Sequence, residues 1–146
     1  MTRTATIRDV HDFWNDASCG EELYLAGSDR KAYEEHIRQR YSLEPFLLAF
    51  ARLEETTGLD VLESGVGLGA DHQMFAQAGV HLSGIDLTER SIEHAGRRLA
   101  LFGLQSDLRV GDADDLPYSA ESFDVVYSCG VRRHSQPYCP IMACSC

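Results

Sequence analysis

The sequence has no long hydrophobic run and few positively charged residues. No window approaches the roughly eighteen apolar residues of a membrane-spanning helix, and the N-terminal segment has no apolar core like that of a secretory signal. It carries 13 Lys and Arg against 23 Asp and Glu, a formal net charge of −10, with no basic stripe. We therefore expect a cytoplasmic protein with no membrane or nucleic-acid partner, whose ligand is a small molecule.

Cysteine is sparse except near the C-terminal end. The five cysteines are an odd number, and three of them fall in the last eight residues, which is not the pattern of a secreted disulfide framework. A zinc site built from these thiols and a nearby imidazole would lack the usual CxxC pair. We expect no metal at these positions, which are His134, Cys139, Cys144 and Cys146.

The sequence does contain a regular alternation of apolar segments after a helical N-terminal part. Helices are predicted over residues 31–41 and 45–55, where Pro45 suits a first-turn position. Beyond them, strands and helices alternate in the order 60–64, 70–78, 81–86, 88–102, 107–111 and 123–128, in which the second and fourth segments are helices. Strand–helix–strand alternation implies right-handed crossovers and a parallel sheet.

The expected fold is therefore α/β, a partial Rossmann-like doubly wound parallel sheet with a helical preface. We place the third strand beside the second, and the fourth strand on the other side of the first, so that the strand order is 3-2-1-4. The expected division is a preface over 1–57, a core over 58–131 and an irregular, Cys-rich tail over 132–146.

A glycine-rich turn follows the first strand. Gly65, Gly67 and Gly69 permit positive φ angles and allow a ligand to approach the backbone where a Cβ would collide. The helix that follows presents unpaired N–H groups to an anionic group. Asp86 ends the second strand, where its carboxylate is placed to accept hydrogen bonds from the two hydroxyls of a ribose.

A second group of candidates follows the third strand. Gly111, Asp112 and Ala113 come at its carboxyl end, beside Asp86 in the expected sheet. From there Asp112 is placed to accept a hydrogen bond from an adenine amino group. In the expected order the strands reverse between the first and the fourth, and sheets of this type bind ligands at that point.

Each acidic candidate also has a purely structural interpretation. Asp86 fits an ordinary helix-capping acid, Glu63 fits a carboxylate that braces the loop, and Asp112 fits a turn residue. The sequence leaves these alternatives open.

Taken together, these motifs resemble a class I S-adenosylmethionine-dependent methyltransferase of the small-molecule type. The resemblance covers about residues 59–131 and rests on four motifs in order: Glu63-x-Gly65-x-Gly67-x-Gly69, Asp86, the segment 111–113 and the strand 123–127. The preface resembles a bacterial subgroup through Arg40–Tyr41 and other short matches. The implied cofactor is S-adenosylmethionine, and the implied partner is a small-molecule methyl acceptor.

The resemblance also implies roles for single residues. The glycine loop lies under the methionine half of the cofactor, and Glu63 lies near its cationic end. The remaining cofactor-binding positions are Asp86 and Leu87 at the ribose, Asp112 and Ala113 at the adenine, and Ser128 facing the reacting methyl. No catalytic residue is assigned, because the methyl group is already activated; His134 is a weak candidate for a general base.

The C-terminal part departs from the family pattern. From residue 130 onward there is no acidic residue, and the expected later strands do not follow. We therefore expect a truncated or frame-shifted product. The fourth strand, 123–128, is then an exposed edge that invites self-association.

Two other functions compete with methyl transfer. Gly65-x-Gly67-x-x-Ala70, followed by Asp86, also fits the dinucleotide fingerprint of an NAD-dependent oxidoreductase. The other is an inactive or binding-only remnant of a methyltransferase domain, which keeps cofactor-site residues and catalyses nothing.

Overall fold

A computed structural model describes residues 6–129 and, for the backbone alone, residues 142–144. The described part of the preface, residues 6–57, contains four helices, α1 (Ile7–Asp16), α2 (Glu21–Tyr24), α3 (Arg30–Leu43) and α4 (Phe46–Ala51), and a 3₁₀ turn at Leu53–Glu55. The alternating part follows as β1 (Asp60–Ser64), α5 (Ala70–Gln77), β2 (His81–Asp86), α6 (Glu89–Leu101), β3 (Asp107–Val110), β4 (Val125–Cys129) and β5 (Met142–Cys144). The predicted alternation is confirmed, with small shifts at the ends of its elements.

The strands form one parallel sheet in the order β3-β2-β1-β4-β5. The predicted order 3-2-1-4 is confirmed. The expectation that β4 is an exposed edge strand is wrong, because β5 pairs with its outer side, from Tyr127 opposite Met142 to Cys129 opposite Cys144. This pairing removes the reason for expecting self-association through β4.

The preface differs from the prediction at two places. The helix predicted over 45–55 breaks at Arg52, whose φ of 48° and ψ of 43° are left-handed and end α4. The first helix, α1, was not predicted. Its sequence carries two signals. One is a capping box, in which the side chains of Thr6 and Asp9 each bond the other's backbone N–H. The other is a set of apolar residues at helical spacing, Ile7, Val10, Phe13 and Trp14.

The preface packs on the sheet part through buried side chains. Arg98 of α6 is fully buried and stacks over the ring of Tyr33 of α3, 4.5 Å from its centroid. Its guanidinium also lies 2.7 Å from Nδ1 of His36 on α3. The main core joins β1, β2, β4, α4 and α5 through Val61, Leu82, Tyr127, Ala51 and Phe75. Burial of this apolar surface holds the strand ends, and the loops that follow them, in one fixed arrangement.

Among the described residues, no helix is both long enough and apolar enough to cross a bilayer.

Candidate functional site

The loop between β1 and α5 has the backbone that its glycines predict. Gly65, Gly67 and Gly69 have φ angles of 82°, 55° and 78°. These values lie in the left-handed region, where a side chain is strained. Gly69 is the N-cap of α5, so the turn carries the chain directly from the central strand into a helix.

Two of these glycines serve different purposes. A Cβ built on Gly69 would lie 3.1 Å from Cα of Ala95, so this glycine lets α5 pack closely on α6. A Cβ built on Gly67 would have no heavy atom within 4 Å. The face of the loop at Gly67 is therefore open, and it can receive a ligand that lies directly on the peptide.

Asp86, at the end of β2, braces this loop. Its Oδ2 accepts a hydrogen bond from the backbone N–H of Gly67 at 2.9 Å. Its Oδ1 accepts from the N–H and the hydroxyl of Thr88, at 3.0 and 3.1 Å, while Thr88 itself is the N-cap of α6. A carboxylate has about four acceptor sites, so a half-buried Asp86 keeps capacity for a further donor. The bond to Gly67 was not foreseen from the sequence.

The end of β3 lies beside Asp86, as predicted. Val110 is paired with Asp86 in the sheet, and the N–H of Gly111 donates to the Asp86 carbonyl at 2.8 Å. Asp112 is half-buried, and its Oδ1 accepts from the N–H of Asp114 at 2.9 Å, which is a local turn interaction. Ala113 is exposed.

The last two candidates lie at neighbouring strand ends. Leu87 follows directly after β2 and is half-buried. Ser128 is the residue after Tyr127, which pairs with Glu63 of β1, so Ser128 is near the carboxyl end of the central strand. The structure thus brings the glycine loop, the end of β2 and the end of β3 together, with β4 on the other side of β1.

A cluster around Asp71, in the first turn of α5, was not predicted. Arg40 of α3 binds its carboxylate with two nitrogens, at 3.0 and 2.8 Å. Tyr41 and Tyr127 donate their hydroxyls to the same carboxylate at 2.7 and 3.1 Å. Asp71 is buried. Its bonds to Arg40 and Tyr41 connect the preface helix α3 to the start of α5, the helix that follows the glycine loop.

Charge explains why this cluster is stable. Burial on its own raises the pKa of Asp71, but the hydrogen bonds and charge of Arg40, together with the tyrosine hydroxyls, reverse this and leave its pKa below the ordinary value. The pKa of Tyr127 is raised, first by burial and then by the Asp71 charge. Asp71 is therefore ionised and the tyrosines are neutral donors. No sequence pattern joins these positions, because Arg40 and Asp71 lie 31 residues apart.

Glu63 lies at the base of the loop and is buried beside a histidine. Its Oε2 is 2.8 Å from Nδ1 of His72 on α5, and both side chains are almost completely buried. Burial raises the pKa of Glu63 well above its ordinary value and lowers the pKa of His72. Both pKa shifts favour a neutral Glu63 carboxyl beside a neutral His72 imidazole.

Other candidates lie outside the described residues. His134, the weak candidate for a general base, lies in a segment that the structure does not describe. So do the tail cysteines Cys139 and Cys146, and only the backbone of Cys144 is described, in β5. Between residues 6 and 129 no group of three or more His, Cys, Asp or Glu side chains is arranged to hold a metal ion.

Comparison with known proteins identifies the family. A family model described as a methyltransferase domain matches residues 61–142. A ubiquinone biosynthesis O-methyltransferase from Bartonella bacilliformis is 29% identical over 129 residues, which are 87% of this chain and 50% of that protein. One from Maricaulis maris is 33% identical over 90 residues, covering 60% of this chain and 35% of that protein. The chain thus spans about half or less of the length of these relatives.

The fold agrees with this match. The crystal structure of magnesium protoporphyrin IX methyltransferase from Synechocystis PCC 6803 with bound S-adenosylmethionine superposes with a TM-score of 0.61 at 23% identity, covering 89% of this chain and 65% of that one. At this identity the likeness shows the fold alone. The family model, which covers more than half of the chain, shows that it belongs to the class I S-adenosylmethionine-dependent methyltransferases.

Proposed function

We propose that this chain binds S-adenosylmethionine on its glycine loop and transfers the methyl group to a small-molecule acceptor. The observation that carries the proposal is the open face at Gly67 beside Asp86. A cofactor can lie on the loop there without meeting a side chain, while a ribose hydroxyl donates to the acceptor site that the Asp86 carboxylate keeps.

The other cofactor contacts belong to the same proposal. Asp112 and Ala113 lie beyond β3, on the adenine side of Asp86, while Leu87 continues from the ribose position. Gly65 and Gly69 shape the loop. Glu63 and Ser128 lie at the ends of the two central strands, on the methionine side, and Ser128 faces the reacting methyl.

The chain's own residues act mainly by holding the cofactor in position. The bound cofactor supplies a methyl group that is already activated by a positively charged sulfur. Positioning of such a group against an acceptor, with water excluded, lowers the activation free energy of transfer by roughly 7–11 kcal/mol in favourable cases. Arg40 and Tyr41 of α3 contribute by fixing the start of α5 through Asp71.

The acceptor class rests on charge and on the names of the relatives. A formal charge of −10 opposes binding to a nucleic acid. Two of the relatives are named as O-methyltransferases of ubiquinone biosynthesis, which supports a hydroxyl oxygen on a small organic molecule as the acceptor. A cytoplasmic location and a division of the chain at residue 57 are part of this proposal.

Labelled S-adenosylmethionine tests the proposal. The full chain is incubated with methyl-labelled cofactor and, in separate reactions, with a catechol or with transfer RNA. We expect label in the catechol fraction and formation of S-adenosylhomocysteine. Label in the RNA would overturn the acceptor class, and cofactor binding with no transfer to any probe would favour the binding-only alternative.

A further inference from the structure

A buried hydrogen-bonded chain runs from Glu63 across the sheet. Oε2 of Glu63 lies 2.8 Å from Nδ1 of His72, and Nε2 of His72 lies 2.8 Å from the hydroxyl of Ser106. The Ser106 hydroxyl in turn donates to the carbonyl of Leu82 at 2.9 Å. The chain connects the base of the glycine loop to β2 and to the residue before β3.

The hydrogen bonds determine how many protons Glu63 and His72 share. A serine hydroxyl has one proton, and that of Ser106 goes to the Leu82 carbonyl, which can only accept. Ser106 must therefore accept from His72, so Nε2 of His72 carries a proton. One further proton lies between Nδ1 and the Glu63 carboxyl, bound either to the oxygen or to the nitrogen.

The fold makes room for this arrangement. A Cβ built on Gly84 of β2 would lie 2.6 Å from Cε1 of His72, so the imidazole occupies the space that any other residue would need. The charged groups that act on Glu63 come from three elements, Asp71 of α5, Asp86 of β2 and Arg40 of α3, and the two carboxylates oppose its ionisation. Without a ligand, burial and these charges place the shared proton on Glu63.

Of the three described carboxyl groups at the loop, Glu63, Asp71 and Asp86, Glu63 is the one left for a cation. Asp71 is saturated by Arg40, Tyr41 and Tyr127, and under the proposed function Asp86 is used by the ribose. The difference between S-adenosylmethionine and its product is the positive charge on sulfur. An ionised Glu63 would therefore raise the affinity for S-adenosylmethionine and leave the affinity for the product unchanged.

We propose that His72 is the proton partner that lets Glu63 ionise when a sulfonium cofactor binds. The proton moves from the Glu63 oxygen to Nδ1 of His72, so the O–H bond breaks, an N–H bond forms, and no proton leaves the protein. Glu63 becomes an anion beside the sulfonium, and His72 becomes an imidazolium held by Ser106. The demethylated product is neutral at sulfur, so the proton returns to Glu63 and the product is bound less tightly. This inference rests on the proposed function.

Paired affinity measurements test it. Glu63→Gln keeps the shape and stays neutral, and His72→Gln removes the base. In calorimetry, each is expected to lower the affinity for S-adenosylmethionine about tenfold, and the affinity for S-adenosylhomocysteine less than about twofold. The double variant should lose no more selectivity than either single variant, because the two residues act as one unit. His36→Gln, which alters another buried histidine, should leave the selectivity unchanged.

Nitrogen-15 NMR of His72 in the wild-type chain gives an independent readout if His72→Gln does not fold. The ligand-free protein and the product complex should show a neutral ring protonated on Nε2, and the S-adenosylmethionine complex a ring protonated on both nitrogens. Equal losses of affinity for the two ligands, or additive losses of selectivity in the double variant, would overturn the role of His72. So would a His72 ring whose protonation is the same in all three states. If neither ligand binds the wild-type chain, the proposed function itself fails, which is a different result.

Discussion

Asp71 and Asp86 both lie close to the start of a helix that follows a strand, yet their surroundings are opposite. Asp71 is buried, and the donors on it come from α3 and β4, with a guanidinium among them. Asp86 is half-buried, and its donors are the loop N–H of Gly67 and its own neighbour Thr88.

The difference separates a structural carboxylate from a ligand-binding one. Asp71 has no capacity left for a ligand, because its two oxygens already accept from one arginine and two tyrosines. Asp86 holds the loop in shape and still has room for a further donor. Loss of the first should therefore damage the fold, and loss of the second should damage binding.

The largest expected effect is that of Asp71→Ala on stability. The substitution leaves Arg40 without its buried partner and two tyrosine hydroxyls without an acceptor, which costs about 3–5 kcal/mol of unfolding free energy. Urea denaturation followed by circular dichroism measures the loss, with Asp86→Ala as the matched control. A smaller loss for Asp71→Ala than for the control would reverse the comparison.

The glycines extend the comparison to the backbone. Gly67→Val places a branched side chain on the open face and should weaken S-adenosylmethionine binding more than about a hundredfold. Both variants carry the strain of a side chain at positive φ, but only Gly69→Ala also meets Ala95, and this overpacking should cost a further loss of about 1–3 kcal/mol of stability. Calorimetry and urea denaturation of both variants separate the two effects. If Gly67→Val bound S-adenosylmethionine as tightly as the wild type, the cofactor would not lie on the open face of the loop.

Asp86→Ala should chiefly reduce affinity. Removal of the ribose acceptor is expected to weaken S-adenosylmethionine binding about ten- to a hundredfold, which corresponds to roughly 1.5–3 kcal/mol. The lost bonds to Gly67 and Thr88 should lower stability by about 1–3 kcal/mol, which is less than the loss expected for Asp71→Ala. An unchanged dissociation constant would show that Asp86 only braces the loop and caps α6.

The smallest expected effect concerns a third acid, Glu21, in the preface. Arg90 binds its two oxygens at 2.7 Å, and this lowers the pKa of Glu21 from 4.5 to about 2. Because the folded pKa is depressed, its stabilisation is present above about pH 4.5 and is lost as the pH falls toward 2. Glu21→Gln should flatten the decline of stability over this range in urea titrations at several pH values. An unchanged slope would show that the ion pair contributes nothing.

Local patterns made half of this site predictable. A turn that needs positive φ requires glycine, and an acid at the end of a strand follows directly from the strand pattern, so Gly67 and Asp86 could be found from the sequence. Asp71 could not be assigned a role, because its partners are fixed by the packing of α3 and β4 on α5. The same holds for His72, whose site depends on Gly84 in a different element.

The strand order was predictable for a similar reason, since right-handed crossovers leave few arrangements. The pairing of β5 with β4 was not, because Met142–Cys144 is short and follows a segment without a periodic pattern. The helix α1 could have been found from the sequence, because the capping residues Thr6 and Asp9 precede apolar residues at helical spacing.

Calorimetric titration of the full chain with S-adenosylmethionine and NAD, each against wild type and Asp86→Ala, tests whether the glycine loop and Asp86 form an S-adenosylmethionine site. We expect S-adenosylmethionine to bind the wild type, the variant to bind it at least about tenfold more weakly, and NAD to bind neither protein with comparable affinity. Tighter binding of NAD, or equal binding of S-adenosylmethionine by the two proteins, would contradict this expectation.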